Sequence, residues 1–159
     1  MPASYCQIAA HIIFALKHRN HYMPDGMFAY IHGIISQYGG IPIRINGPRD
    51  HVHILCYIPK NMSIADLVRT VKANSSKWHN KKSTGRITWQ TGYAAFGVSK
   101  NNLPAVEHYI ANQEEHHTRI SFRDEMEQYL CDPLGKEVIQ EWFQGLPDAD
   151  NGEDAMDGE

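Results

Sequence analysis

Between the turn signal Asn46-Gly47-Pro48 and Pro59 the chain reads Arg49-Asp50-His51-Val52-His53-Ile54-Leu55-Cys56-Tyr57-Ile58. Residues 51–58 are apolar or aromatic apart from the two histidines, which predicts a buried strand closed by the proline. Side chains alternate across a strand, so His51, His53, Leu55 and Tyr57 share one face and Val52, Ile54, Cys56 and Ile58 the other. The two imidazoles then point the same way, about 7 Å apart along the backbone. Such a pair is more often a hydrogen-bonded polar patch than a metal site, although both rings can converge on one small divalent ion.

The segments around this strand extend it into a sheet. Residues 5–16 are rich in strand formers and predict a first strand, with His11 as a core or sheet-edge histidine bonded to the backbone. From Pro24 the spacing becomes helical: Met27, Ile31, Ile34, Ile35 and Tyr38 fall on one face, and Gly39-Gly40 ends the helix. Ile41-Pro42-Ile43-Arg44-Ile45 then alternates as a strand, Arg44 opposite Ile41, Ile43 and Ile45. The turn after it folds this strand back as a hairpin on the histidine strand. Ser63 and Asp66 predict a capped helix with Ile64, Leu67, Val68 and Val71 as its buried stripe. Residues 86–98 predict two short strands broken at Gly92. Ser99 to Asn102 are expected to cap a further helix running from about Leu103 to His117, with Pro104 in its first turn. Ser121 and Asp124 predict another helix, packing through Phe122, Met126, Tyr129 and Leu130, and Val138 to Phe143 a short amphipathic segment.

The length of 159 residues fits one domain with a real core, and the expected division is residues 1–146 and a tail, 147–159. No apolar run reaches the length of a membrane span and no signal peptide is legible, so a cytoplasmic location is expected. Cys6, Cys56 and Cys131 lack CxxC spacing and read as reduced thiols packed as small hydrophobes. The net charge of −3 conceals an uneven distribution. Residues 147–159 hold acids and no Lys or Arg, and predict a disordered tail. Residues 60–100 carry Lys60, Arg69, Lys72, Lys77, Lys81, Lys82, Arg86 and Lys100 against Asp66 alone. With Arg69, Lys72 and Lys77 turned to solvent and Trp78 nearby, this is either a solvated basic surface or a phosphate-binding face for DNA.

On the helix after Leu103, Tyr109 and Gln113 stand four residues apart and share a face, with His116 and His117 a turn further on; Val106 and Ile110 supply the packing side. Such a polar face is either solvated or turned to a site, because each unpaired polar group buried dry costs about 1–3 kcal/mol.

Three separated stretches, Asp50-His51-Val52-His53, then Trp89 to Ser99, then Tyr109-Ile110-Ala111-Asn112-Gln113-Glu114-Glu115-His116-His117, together resemble the single-tyrosine HUH transposases of small bacterial insertion sequences, with their repeat-associated relatives. The resemblance covers about residues 5–130. It implies an α+β, ferredoxin-like sandwich: an antiparallel sheet with packed helices and a mobile tyrosine helix hinged around residues 97–102. It also implies His51, His53 and Gln113 as ligands of a divalent ion, Mg²⁺ or Mn²⁺, with Asp50 supporting the histidines and Tyr109 as the nucleophile that cuts DNA. The DNA-contacting set would be Arg69, Lys72, Lys77, Lys81, Lys82 and Arg86. The expected partners are single-stranded DNA with hairpins and a second copy of the chain in a homodimer, with no membrane.

The residue types agree with that chemistry. A phenol of pKa about 10 attacks an anionic phosphodiester poorly unless charge on the phosphate is offset. Two imidazoles and an amide add no ligand charge and leave positions open on the ion, and their nitrogens favour Mn²⁺ over Mg²⁺. No residue stands out as the general base. Within the resemblance stand a transposase, a domesticated repeat-associated endonuclease and ligase, and a hairpin-binding protein without catalysis; Tyr109 acting in cis or in trans fits each enzyme.

Overall fold

Four strands, β1 (Ala9–Ala15), β2 (Ile41–Asn46), β3 (His51–Tyr57) and β4 (Ala94–Val98), pair antiparallel in the order β2-β3-β1-β4. The helices α1 (Met27–Gln37) and α2 (Ile64–Lys82) connect them, and α3 (Leu103–Ala111) follows β4 after a turn of 3-10 helix at Lys100–Asn102. This computed structural model describes residues 3–18, 22–82, 85–113 and 122–129. The chain divides into two compact units, Met1–Glu115 and His116–Glu159. Strand, helix, strand, strand, helix, strand with both central strands antiparallel is the expected α+β, ferredoxin-like order.

Alternation along β1 and β3 sorts the sheet into two unlike faces. Ala10, Ile12, Phe14 and Leu16 join Val52, Ile54 and Cys56 on one of them, where α1 contributes Met27, Ile31, Ile34 and Ile35 and α2 contributes Leu67, Val68 and Val71. Trp89 closes this core with its ring edge-on to Phe14 at 5.0 Å. Its indole N–H donates to Ser75 Oγ at 3.0 Å, so this buried indole is satisfied. A fully buried side chain of this size stabilises the fold by about 1.5–3 kcal/mol.

The hairpin joining β2 to β3 forms as the turn residues predict, and Gly47 is required there because a Cβ would run into the His51 carbonyl. Its strand β2 departs from plain alternation. Pro42 has no N–H to give, and the register shifts between Pro42 and Arg44, so Ile41 stands opposite Tyr57 while Arg44 stands opposite Leu55, Ile45 opposite Ile54 and Asn46 opposite His53. The slip moves every later side chain to the other face. Ile45 thereby packs against the core, Arg44 and Asn46 turn to the histidine face, and Ile41 is left 61% exposed. Ile41, Ile43 and Ile45 do not share a face as expected.

Other boundaries moved for local reasons. The first strand starts at Ala9, not residue 5, and Tyr5 is exposed. Tyr38 lies beyond the last turn of α1, where Gly39 turns left-handed at φ 91°, and is exposed. Helix α2 opens with Ser63 Oγ accepting from Asp66 N–H at 3.0 Å, and Ile64 is only partly buried. It runs to Lys82, further than its apolar stripe, and the hydroxyls of Ser75 and Ser76 fold back onto the Lys72 carbonyl within it. Before Gly92 the chain makes only a single bridge, Trp89 to Leu16, where a strand was expected. Neither Ser99 nor Asn102 makes a side-chain capping bond. In the second unit α4 (Phe122–Tyr129) forms as expected, with Met126 buried. Ser121, Leu130, Cys131, residues 138–143 and the acidic stretch 147–159 lie outside the described residues.

Two groups give solution tests. Cys6 is exposed, against expectation, whereas Cys56 is buried in the core and burial pushes its thiol up to about 12. In the native protein iodoacetamide should label the Cys6 peptide and spare the Cys56 peptide until denaturant is added, as read by peptide mass spectrometry. Lys72 is half-buried over the Phe14 ring, and burial pushes its ammonium down to about 8. Between about pH 8 and the unfolded lysine value near 10.4 the unfolded chain keeps a proton that the folded chain has released, so this residue's contribution to stability rises with pH. Urea unfolding of the wild type and Lys72→Met should show the difference moving in the wild type's favour between pH 7.5 and pH 9.5; a flat difference would contradict it.

Candidate functional site

The second face of the sheet is polar at its centre. His11 from β1 and His51 and His53 from β3 project from it, all at most 1% exposed, and α3 lies over the β2–β3 side. His11 stands opposite Leu55 in the ladder, hence diagonal to His53. That diagonal brings His11 Nε2 within 2.8 Å of His53 Nδ1, the rings stacked with centroids 5.1 Å apart. The Nε2 of His11 thus has a side chain as its partner. His51 Nδ1 meets Asp50 Oδ1 at 2.8 Å, and the rings of His51 and His53 lie 5.1 Å apart.

These contacts fix the chemistry of each ring. With Nδ1 engaged in both His51 and His53, an ion would be taken by Nε2. A ring that offers the Nε2 lone pair carries its proton on Nδ1, which then donates to Asp50 from His51 and to His11 from His53. Asp50 thus bonds His51, and His11 makes an equivalent bond to His53 that the sequence reading missed. Its signal was the antiparallel register, which single-strand periodicity does not contain.

Tyr109 comes to the same place from α3. Its ring stands edge-on to His53 at 5.9 Å and to His11 at 6.4 Å, within one chain. Ile110, fully buried, docks the helix. The helix is shorter than expected: it ends at Ala111, and Asn112 leaves helical geometry at φ −101°, ψ 22°. Gln113 lies past that break, fully buried, with Nε2 donating to the Tyr109 carbonyl at 3.3 Å. Its Oε1 is buried with no hydrogen-bond partner among the described residues. An orphaned acceptor costs about 1–3 kcal/mol, and a cation would satisfy it. Two imidazole nitrogens with set tautomers and an amide oxygen without a donor are a donor set that fits a divalent ion. His116 and His117 lie outside the described residues.

The basic residues divide. Arg69, Lys77, Lys81, Lys82 and Arg86 are exposed, Arg69 paired with Asp66 at 2.8 Å. Lys72 is not turned to solvent as expected: its ammonium donates to the carbonyls of Gln90 at 2.8 Å and Gly92 at 2.6 Å and so ties α2 to the segment before β4. Trp78 offers little ring face for a base, because Tyr30 stacks on it at 4.4 Å and Lys82 Nζ sits over it at 3.5 Å. Among the described residues no helix is long and apolar enough to cross a membrane.

Against known proteins, the profile of the family described as "Transposase IS200 like" matches residues 4–113. A search of curated proteins finds no match. Among solved structures, a protein assigned as a transposase from Deinococcus radiodurans R1 is similar with TM-score 0.55 and 23% identity, over 71% of this chain and 96% of that one. A REP-associated tyrosine transposase bound to a REP hairpin is similar with TM-score 0.56 and 12% identity, over 76% of this chain and 74% of that one. At these identities the likeness is one of fold. The profile match spans most of the chain and takes in His51, His53, Tyr109 and Gln113, and the sheet with its helices is shared with those structures, so the chain belongs to the IS200-like transposase family.

Proposed function

We propose that this chain cuts and rejoins single-stranded DNA, with Tyr109 as the nucleophile and His51, His53 and Gln113 holding Mg²⁺ or Mn²⁺. The observation that carries the reading is the meeting of the Tyr109 ring with the histidine face inside one chain, 5.9 Å from His53, beside the orphaned oxygen of Gln113. The Tyr109 oxygen attacks the scissile phosphorus, the phosphorus–O3′ bond breaks, and the phenolic proton is replaced by a 5′-phosphotyrosine link. The departing oxygen takes a proton and leaves as a free 3′-OH. A 3′-OH from another strand then attacks the adduct, which restores a phosphodiester and the phenol without ATP. An ion held by His51, His53 and Gln113 would offset charge on the phosphate oxygens. Asp50 and His11 hold the two imidazoles in the tautomers and orientations that this needs.

The basic residues of α2 belong to the layer on the other side of the sheet from Tyr109. In this reading Lys77, Lys81, Lys82 and Arg86 contact phosphates away from the cut, on a hairpin stem such as the one held by the REP-associated neighbour. Lys72, committed to two carbonyls, drops out of that set. Processing two DNA ends calls for two active sites, and a homodimer provides them. A domesticated endonuclease and ligase would use the same residues, whereas a hairpin-binding protein without catalysis would need neither the phenol nor the ion.

With labelled single strands carrying hairpins and Mn²⁺, a denaturing gel should show a covalent protein–DNA adduct that Tyr109→Phe abolishes and His51→Ala reduces at least about a hundredfold. Binding without adduct on every native-flank oligonucleotide would leave the non-catalytic protein as the answer. Replacing Lys77 and Lys81 together by Ala should weaken hairpin affinity across sequences and lower the slope of log affinity against log salt by about 2; an unchanged slope would remove α2 from the DNA surface.

A further inference from the structure

The last four carbonyls of an α-helix have no donor within it, and in α3 they belong to the residues on either side of the proposed nucleophile. His108 O accepts from the Asn112 N–H at 3.2 Å, and Tyr109 O accepts from Gln113 Nε2 at 3.3 Å. Ile110 O accepts from a backbone N–H of the cap, and one side chain from outside the helix reaches both it and the last carbonyl: Asn46 Nδ2 donates to Ile110 O at 3.0 Å and to Ala111 O at 3.3 Å. An amide nitrogen carries two hydrogens, so the pairing is stoichiometric. One turn earlier, Arg44 Nη2 meets Glu107 Oε1 at 3.2 Å, an exposed pair of small energetic weight.

Both anchors come from β2, and both reach α3 because of the register shift after Pro42. Asn46 stands opposite His53, so the ladder position that faces a proposed metal ligand also grips the two carbonyls directly after Tyr109. At its other end α3 has no such hold: residues 99–102 are exposed, and neither Ser99 nor Asn102 caps with its side chain.

We infer that Asn46 is a latch that positions Tyr109 over the histidines of its own chain, with the Arg44–Glu107 pair as an auxiliary contact. The inference rests on the reading of Tyr109 as nucleophile. Releasing the latch frees the C-terminal turn of α3 while its N-terminal connection stays attached to β4. Asn46 acts through the helix and touches neither DNA nor ion, so it is a positioning residue.

The test uses the full chain and two independent readouts. In Asn46→Ala, the rate of adduct formation at saturating DNA should fall about tenfold to a hundredfold, while KM for DNA stays within about twofold. Mn²⁺ affinity, measured by calorimetry with Tyr109→Phe in both backgrounds, should weaken, because Gln113 is tied to the Tyr109 carbonyl and moves with the same turn. Hydrogen–deuterium exchange should accelerate over residues 103–111 and remain as in the wild type over β1 and β3. Asn46→Asp, of the same size but with an acceptor facing two carbonyls, should act in the same direction. Exchange raised by Arg44→Glu should be restored in Arg44→Glu/Glu107→Arg. Unchanged exchange over 103–111, or acceleration spread through β1 and β3, would overturn the latch. A wild type that forms no adduct but shows the local exchange change would retain the latch and remove the nucleophile.

Discussion

The structure depends on the strict two-residue period of β3. Val52, Ile54 and Cys56 close an apolar core against α1 and α2, while His51 and His53 open on the other side under α3. The same strand therefore supplies a rigid floor and the polar groups standing on it, and neither set can shift without the other. Slipping the pairing by one residue would place two imidazoles among isoleucines and turn Val52 and Ile54 to the polar face under α3. The chemistry of the site and the burial that stabilises the fold enforce one register.

The edge strand β2 solves a different problem with the opposite device. A regular β2 would send Ile41, Ile43 and Ile45 all to the histidine face, leaving nothing polar to meet α3. The irregularity after Pro42 breaks this pattern and delivers Ile45 to the core and Arg44 and Asn46 to α3. Proline costs one ladder bond at an edge, where it is least missed, and the return is a polar grip on the helix that carries Tyr109.

This also marks where the sequence was legible and where it was not. The strand around His51, the hairpin at Asn46-Gly47, the apolar stripes of α1 and α2, and the order of elements follow from local period and turn chemistry. The motif residues followed from resemblance. What periodicity does not contain is pairing between distant residues. The bulge in β2 depends on which residue of β3 each partner meets, the role of His11 on its diagonal to His53, and the restraint of Lys72 on the carbonyls of Gln90 and Gly92. Spacing alone made Lys72 a surface cation, yet it is half-buried. The end of α3 at Ala111 was equally hidden, since no glycine or proline marks it; two of its terminal carbonyls are instead reached by Asn46, 65 positions away at the furthest bond.

A common economy links the polar groups of the site. His51, His53 and Gln113 each have one end tied inside the protein, to Asp50, to His11 and to the Tyr109 carbonyl, and the other polar atom of each is of a kind that a divalent ion takes. Burying such groups without the inner bonds would leave them free to turn, and each unmet group would cost about 1–3 kcal/mol. With those bonds made, the direction of every outer atom is set before anything binds, which is what preorganisation requires. The Gln113 contact is the tightest coupling of the three, because its inner partner is the backbone of Tyr109 itself. Any displacement of the helix that moved the phenol would carry the amide with it, so Tyr109 and Gln113 arrive or leave together.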